Sequence, residues 1–272
     1  MSTLLRSMTG LIWPLALLAA CGGVESGADA VTPPADARPD GAADSGGIDG
    51  AAGIQCPNGM VGTPGGSYEM LNRPGVNTID PFCMDVTHVT AGAYAACPTC
   101  SPAATTTLCN TNIDFRRDDP ANCVDVNQAI FYCESLGKSV PTEEQWEWAA
   151  RGGPAGNLYA WGNQVPTATD SPPRLCWIAG RSDVPFPDRP SGTCPVGFYQ
   201  QAATQPFGIE DMSGDVWTWT TSTGTTSTNR VVRGGGWDNT DPARMTTGFR
   251  NDAIPATTRH YALGFRCVAP PL

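Results

Sequence analysis

Cysteines are the residues whose chemistry this sequence offers most plainly. Ten of them follow residue 55, at positions 56, 83, 97, 100, 109, 123, 133, 176, 194 and 267. An even number of cysteines is typical of a disulfide-bonded exported domain, although spacing alone leaves the connectivity open. Cys176 and Cys194 bracket a loop rich in proline and glycine, and Cys109 is placed to close a small loop with Cys97 or Cys100.

The segment Cys97-Pro-Thr-Cys100 has a spacing that also suits zinc ligands or a redox-active dithiol. A structural zinc site would need a second close cysteine pair or a nearby histidine, and the sequence has neither. A redox dithiol usually lies in a thioredoxin-like succession of strands and helices, which the surrounding residues lack. A disulfide is therefore the favoured interpretation, with zinc and redox activity left as alternatives.

Histidine-based and serine-based catalysis have few candidates here. The histidines are His88 and His260, and the sequence contains no GxSxG or HExxH motif. Each histidine is expected to be a loop residue that hydrogen-bonds to the backbone. Gly137-Lys138-Ser139 looks like the end of a phosphate-binding loop, but Tyr132 stands where that motif requires glycine.

The charge balance argues against nucleic acid as a partner. The 272 residues carry 16 lysines and arginines against 26 aspartates and glutamates, a net charge of −10. Lys138 is the single lysine, and the arginines form no run longer than Arg116-Arg117. Because phosphate contacts need clustered cations, we expect no nucleic-acid binding.

Three helices are predicted to position these residues. Thr90 caps a short helix through Cys97, and Asp125 caps one that runs to Leu136, where Gly137 stops it. Thr142-Glu-Glu-Gln145 is a capping box that begins a third helix, ending near Arg151.

Short strands are predicted at residues 215–220, 230–233 and 264–268, which are rich in valine, tryptophan and phenylalanine. Glycine, proline and small polar residues interrupt most other apolar runs. We therefore expect an α+β domain with little regular secondary structure.

The first 55 residues are predicted to lie outside the folded domain. Residues 1–20 combine Arg6, an apolar stretch and two small residues, which is typical of a secretory signal. Leu18-Ala19-Ala20-Cys21 resembles the lipobox of bacterial lipoproteins, which implies that Cys21 is lipidated and anchors the chain to a membrane. Residues 21–55 are almost entirely Gly, Ala, Pro, Asp and Ser and should form a flexible linker. The folded domain then covers residues 56–272, at the periplasmic face of the outer membrane or the cell surface.

Several stretches, taken together, resemble the formylglycine-generating enzyme family, also called sulfatase-modifying factors. The resemblance covers about residues 56–269 and is carried by Cys56-Pro-Asn-Gly-Met60, Asp85-Val-Thr-His-Val-Thr90, GKSVPTEEQWEWAARGG at 137–153, YAWGN at 159–163, GIEDMSGDVWTWT at 208–220, RVVRGGGW at 230–237 and Gly264-Phe-Arg-Cys267. It implies a variant of the C-type lectin-like fold. It also implies a disulfide between Cys133 and Cys267, which would tie the second predicted helix to the last strand.

Active members of that family use copper, held by two cysteines, to oxidise a cysteine of newly made sulfatases to formylglycine. By resemblance, those two cysteines fall near Asn239 and Arg244, and no cysteine lies between Cys194 and Cys267. The family's active-site serine falls on Gly236, and a further active-site asparagine falls on Ala262. Because a soft thiolate pair selects Cu(I), we expect the copper site and its oxidase activity to be absent.

A calcium site is also implied by the resemblance. Its ligands would be the Asp211 side chain, the carbonyls of Gly214 and Val216, and Thr218, which stands where the family has glutamate. Hard oxygen ligands suit calcium, although the exchange of glutamate for Thr218 weakens the set.

Trp237, with Asp238 and Asn239 beside it, lies where the family has its substrate groove and is a candidate ligand-facing aromatic residue. We therefore expect a lipid-anchored, non-catalytic binding or structural module for a protein, peptide or glycan ligand. The alternative is an enzyme, either a formylglycine-generating oxidase or one that carries out a related oxidative modification.

Overall fold

The computed structural model describes residues 53–167, 170, 174–177, 192–200, 203–204 and 206–272. The predicted signal, Cys21 and the predicted linker up to residue 52 lie outside the described residues. So do residues 178–191, in the middle of the loop between Cys176 and Cys194.

The helices begin where their caps predict. Helix α1 spans Ala91–Ala95, α2 spans Val126–Ser135 and α3 spans Glu143–Ala150. The side chains of Thr90, Asp125 and Thr142 each accept a hydrogen bond from the third backbone N–H of their helix, and the last two form full capping boxes. Helix α1 ends two residues earlier than predicted, and the chain after it turns at Cys97.

The strands in the described residues form three small sheets. Strands β1 (Met60–Thr63), β4 (Phe82–Asp85) and β9 (Val268–Ala269) form one antiparallel sheet, and β2 (Gly66–Met70) pairs with β3 (Arg73–Ile79). The third sheet has the order β7-β6-β5-β8, made of β5 (Trp217–Thr223), β6 (Asn229–Arg233), β7 (Arg250–Pro255) and β8 (Leu263–Gly264). Strands β5 and β8 run parallel, and the other pairs in this sheet are antiparallel. These elements confirm the α+β class and the C-type lectin-like fold.

The single strand predicted at residues 264–268 was wrong. The chain leaves one sheet after Gly264 and joins another at Val268. Between them, the Phe265 carbonyl accepts from Val89 N–H at 3.0 Å, and the Cys267 carbonyl accepts from Asp85 N–H at 2.9 Å. The crossing segment therefore links two sheets, which a local sequence pattern does not reveal.

Five disulfides connect the ten cysteines of the domain: Cys56–Cys83, Cys97–Cys100, Cys109–Cys123, Cys133–Cys267 and Cys176–Cys194. The pairs predicted at 133–267 and 176–194 are present. Cys109 pairs with Cys123 instead of Cys97 or Cys100, so that prediction was wrong. Cys97 and Cys100 are not available to Cys109 because they form a disulfide with each other across a turn. Zinc at Cys97 and Cys100 is excluded in this state because both sulfurs are bonded to each other.

Two large apolar clusters and a smaller one around Tyr159, Leu175, Trp177 and Met245 fill the interior of the described residues. One large cluster packs α2 against β5, β6 and Phe265, and the other packs α3 against the strands of the first two sheets. Buried tryptophans anchor both large clusters: Trp219 Nε1–H donates to the Val124 carbonyl at 3.0 Å, and Trp148 Nε1–H donates to the Pro64 carbonyl at 2.7 Å. Within the described residues, no helix is long and apolar enough to cross a membrane.

Candidate functional site

The glycine run that follows β6 is buried and lies at the position of the predicted groove. Gly234 and Gly235 have φ angles of +94° and +78°, which favour glycine. A Cβ atom on Gly234 would also lie 2.9 Å from the Met212 carbonyl, and one on Gly235 would overlap the Met245 sulfur. Backbone geometry and close packing together explain why these positions carry no side chain.

Gly236 and Asn239 close a turn at the end of this glycine run. Gly236 N–H donates to Asn239 Oδ1 at 3.0 Å, and Asn239 N–H donates back to the Gly236 carbonyl at 3.0 Å. A Cβ atom on Gly236 would lie 3.0 Å from the Ala262 Cβ atom and 3.0 Å from Asp238 Oδ1. The turn is therefore closely packed at Gly236, where the resemblance implies the family's active-site serine.

Trp237 is more buried than a ligand-facing aromatic residue would be. Its exposed fraction is 5%, and its backbone N–H donates to the Asp215 carbonyl at 2.6 Å. Its ring contacts the Tyr261 ring, with 5.4 Å between the ring centroids. Asp238 and Asn239 are half-buried and reach solvent. Of the three predicted groove residues, Asp238 and Asn239 are accessible to solvent, whereas Trp237 is buried.

An aromatic pair near the turn carries an exposed arginine. The Arg244 guanidinium lies over the Phe249 ring at 5.7 Å, and Phe249 contacts Trp217 at 5.8 Å. By resemblance, one of the family's copper cysteines falls near Arg244. Here its side chain lies on an aromatic surface, which is a common cation–π arrangement.

A buried ion-pair network holds β6 and the glycine run against α3. Arg233, Glu147 and Glu143 all have side chains with 0% exposure, and Arg233 pairs with Glu147. Arg250 Nε lies 3.0 Å from Glu143 Oε2, and the Arg233 guanidinium lies 5.3 Å from the centre of the Trp146 ring. Sequence reasoning missed this network, because charged residues give no periodic signal of burial.

The predicted calcium segment is tightly curved. Asp211, Gly214 and Asp215 have φ angles of +56°, +83° and +59°. Asp211 Oδ2 accepts a hydrogen bond from Gly197 N–H at 2.6 Å, and the Thr218 hydroxyl lies 2.9 Å from His88 Nε2. Both predicted side-chain ligands are thus already hydrogen-bonded within the protein. Burial raises the pKa of Asp211, with opposing contributions from Gly197 N–H and Arg266.

This donor set fits calcium poorly. It offers one carboxylate, which already faces the buried Arg266 cation, and a hydroxyl that already has a partner. Calcium usually takes six to eight oxygen ligands, several of them charged. Among the described residues, no group of three histidine, cysteine, aspartate or glutamate side chains is placed to hold a metal ion. Calcium binding by Asp211, Gly214, Val216 and Thr218 remains a prediction.

His88 and Arg266 form a buried polar cluster beside that segment. Arg266 donates to the carbonyls of Asp85, Val86, Glu210 and Asp211, and its Nη2 lies 3.4 Å from His88 Nδ1. Because Arg266 can only donate, His88 Nδ1 is the acceptor and its Nε2–H donates to Thr218. Burial lowers the pKa of His88 well below its usual value, and the Arg266 charge lowers it further.

Burial also lowers the pKa of Arg266 to about 10, although three nearby carboxylates oppose that shift. The expectation that His88 hydrogen-bonds to the backbone was wrong, since its partners are side chains. For His260 the same expectation is confirmed, because its Nδ1 accepts from Ala262 N–H at 3.2 Å.

Comparisons with known proteins show which family this chain resembles in sequence and fold. The family described as "Sulfatase-modifying factor enzyme 1-like domain" matches residues 51–270. The inactive C-alpha-formylglycine-generating enzyme 2 of Bos taurus is 35% identical over 163 residues, which cover 55% of this chain and 50% of that protein. The formylglycine-generating enzyme of Thermomonospora curvata is 31% identical over 189 residues, covering 60% of this chain and 59% of that protein.

A solved structure, the Treponema denticola variable protein 1, superposes with a TM-score of 0.56 at 18% identity. The superposition covers 78% of this chain and 95% of that protein. At this level of identity, the likeness supports only a shared fold. The chain spans about half the length of the curated relatives it matches. The match over residues 51–270 and the disulfide-linked fold lead to one conclusion: this chain belongs to the sulfatase-modifying factor, or formylglycine-generating enzyme, family.

Proposed function

We propose that this chain is a non-catalytic binding module of the family, which has lost the copper site and keeps the groove. The observation that carries the proposal is the state of the cysteines. All ten cysteines of the domain are paired in disulfides, so the described residues offer no thiolate pair to Cu(I).

The residues at the two matching positions support the same proposal. Asn239 uses its side-chain oxygen to accept from Gly236 N–H, and Arg244 lies over Phe249. An amide and a guanidinium are hard or cationic groups, and neither is a ligand for Cu(I). The similarity to a relative described as inactive is consistent with this proposal, and the similarity to formylglycine-generating enzymes keeps the oxidase as the alternative.

The groove supports binding through polar contacts at its rim. Asp238 and Asn239 are half-buried, and they follow the closely packed glycine run and the fully buried Arg233 in sequence. Preorganised polar groups on a rigid support lose little entropy on binding. The ligand class that suits such a rim is a peptide, a protein loop or a glycan.

The anchor proposed at Cys21 would place this module on a membrane of the cell envelope. Five disulfides are typical of proteins exported to an oxidising compartment, which supports that location. Replacing Cys21 by alanine should move the protein from the membrane fraction to the soluble fraction. Continued membrane association of that variant would contradict the proposed anchor.

We also propose that the Thr218–His88 hydrogen bond takes over the positioning role of the family's calcium ligand. The hydroxyl and imidazole are 2.9 Å apart and both fully enclosed, so they fix the curved segment without a metal. No step of binding is assigned to calcium.

The binding proposal is tested with an immobilised glycan array and with a cysteine-bearing sulfatase peptide as probes. We expect at least one probe to bind and Asp238→Ala to weaken that binding about tenfold, as loss of a charged hydrogen bond does. Asp80→Ala, at an exposed aspartate between β3 and β4, is the matched control and should bind as the unchanged chain does. Equal binding by both variants would contradict ligand binding at Asp238.

A further inference from the structure

The disulfide Cys97–Cys100 differs from the other four in its exposure. Both of its cysteines are half-buried. Each of the other disulfides includes at least one cysteine with an exposed fraction of 2% or less, namely Cys83, Cys109, Cys123, Cys133, Cys176, Cys194 and Cys267. A thiolate from another molecule must approach a sulfur atom directly. Cys97–Cys100 is the pair in which neither cysteine is fully buried, whereas Cys56 is the one half-buried cysteine among the other four pairs.

The same disulfide closes the smallest loop. Its cysteines are 3 residues apart in sequence, whereas the other four pairs are 14, 18, 27 and 134 residues apart. In the loop-entropy account, the stabilisation from a disulfide grows with the loop that it closes. Cys97–Cys100 is therefore expected to contribute least to the stability of the fold. A purely structural role does not explain why this disulfide is present.

Hydrogen bonds hold the chain on both sides of this disulfide independently of the sulfur–sulfur bond. Cys97 N–H donates to the Tyr94 carbonyl at 3.1 Å, and the Tyr94 hydroxyl donates to the Ser101 carbonyl at 2.7 Å. Gln128 Nε2 donates to the carbonyls of Ser101 and Pro102 at 3.0 and 2.9 Å. Since these bonds do not involve sulfur, the loop can keep its place when the disulfide opens.

A surface cleft adjoins the disulfide on its C-terminal side. It has a volume of about 300 Å³ and is lined by Ser101, Asp125, Asn127, Gln128, Phe131 and Arg259. The Phe131 side chain is 46% exposed and forms an apolar wall. A side chain next to an incoming thiol can pack there, so the cleft suits a cysteine that has an apolar neighbour.

We propose that Cys97–Cys100 is a site of thiol–disulfide exchange with a dithiol of another protein or a peptide. A partner thiolate attacks one sulfur, the Cys97–Cys100 bond breaks, and a mixed disulfide forms while the other sulfur leaves as a thiolate. The partner's second thiolate then attacks the mixed disulfide and releases the first sulfur. The partner dithiol is oxidised to a disulfide, and the pair Cys97 and Cys100 is reduced to two thiols by two electrons and two protons.

This activity does not involve the groove proposed at Asp238, and the proposed loss of copper chemistry refers to the oxidised chain, in which Cys97 and Cys100 are bonded to each other. Its residues come from the loop after α1, from α2 and from Arg259, none of which lines the turn at Gly236 and Asn239.

The first test equilibrates the full chain with glutathione buffers of stepped reduced-to-oxidised ratio, followed by alkylation and peptide mass spectrometry of each disulfide. We expect Cys97–Cys100 to open at a ratio at least tenfold more oxidising than any other pair, with unchanged tryptophan fluorescence and melting temperature. Opening together with, or after, the other four disulfides would overturn the proposal. So would loss of the folded state when this pair is reduced.

Variants give a second readout. Cys100→Ser should form a mixed disulfide at Cys97 with oxidised glutathione, and Cys97→Ser should do so at Cys100. The double variant Cys97→Ser/Cys100→Ser should keep the melting temperature and form no adduct at these positions. If neither single variant forms an adduct, the exchange site is refuted even if the chain stays folded.

The cleft is tested by rates of exchange. Phe131→Ala should slow reduction of Cys97–Cys100 by a peptide dithiol that carries leucine beside one cysteine, by about fivefold or more. Reduction by dithiothreitol, which has no side chain to place in the cleft, should keep its rate. Equal effects on both reductants would overturn the assignment of the cleft to the partner.

Discussion

The backbone N–H of Gly236 donates to the side-chain oxygen of Asn239 at 3.0 Å. By resemblance, Gly236 stands where the family has its active-site serine, and one of its copper cysteines falls near Asn239. In this chain the two positions are joined in one hydrogen-bonded turn. A hydrogen-bonded turn therefore occupies the position of the predicted groove, and the Asn239 side chain serves there as an acceptor within the protein.

The turn contributes measurably to stability. Asn239→Ala removes the acceptor for Gly236 N–H, and we expect the free energy of unfolding to fall by about 1 kcal/mol, as for a typical partly buried hydrogen bond. Urea denaturation followed by tryptophan fluorescence measures the change. Thr240→Ala, at an exposed neighbouring position, is the control and should change stability by less than about 0.5 kcal/mol.

The buried ion pair between Arg233 and Glu147 should be far more sensitive. Glu147→Gln leaves the fully buried Arg233 with one fewer compensating charge, and we expect a loss of about 3 to 5 kcal/mol in the free energy of unfolding. The comparison is Arg259→Ala, which breaks a pair whose arginine side chain is 42% exposed and should cost about 1 kcal/mol or less. Similar losses in the two variants would show that burial of the network is not what matters.

Stability should fall as pH drops through the unfolded-state pKa of His88. The folded pKa is well below the usual value because His88 is buried beside Arg266. Below about pH 6.5 the unfolded chain binds a proton that the folded chain refuses, so the free energy of unfolding decreases by up to about 1.4 kcal/mol per pH unit.

Urea denaturation at about pH 7.5 and about pH 5.5 tests this sign, with His88→Asn measured in parallel because it lacks the titrating ring. The difference between the two chains isolates His88 from Asp211, whose pKa is raised and whose contribution has the opposite sign. A pH dependence as steep in His88→Asn as in the unchanged chain would contradict the assignment to His88.

Calcium removal should leave the fold intact. Because the Thr218 hydroxyl and the Asp211 carboxylate are already hydrogen-bonded, we expect equal melting temperatures in excess EGTA and in millimolar calcium. Differential scanning fluorimetry gives the comparison directly. A melting temperature several degrees higher with calcium would restore the predicted ligand set and refute the replacement by His88.

Local signals made much of the fold predictable. Thr90, Asp125 and Thr142 mark helix starts because capping depends on neighbours three residues away. The strand exchange between Gly264 and Val268, and the pairing of Cys109 with Cys123, depend on contacts far apart in sequence. They could not be read from spacing.

The candidate site divides in the same way. The glycine run and the absence of cysteine after Cys194 up to Cys267 are visible in the sequence. Other features depend on tertiary structure: the burial of Trp237, the Arg233 network and the pairing of His88 with Thr218. Each involves polar or aromatic residues whose surroundings are set by elements distant in the chain.

The proposed loss of the copper site is tested most directly by measuring bound copper and aldehyde formation together. The full chain is loaded with Cu(I) in the presence of ascorbate, desalted, analysed for bound metal and then incubated with oxygen and a cysteine-bearing sulfatase peptide. We expect copper at background level and no aldehyde by mass spectrometry of the peptide. Stoichiometric copper together with conversion of the peptide cysteine to formylglycine would contradict it.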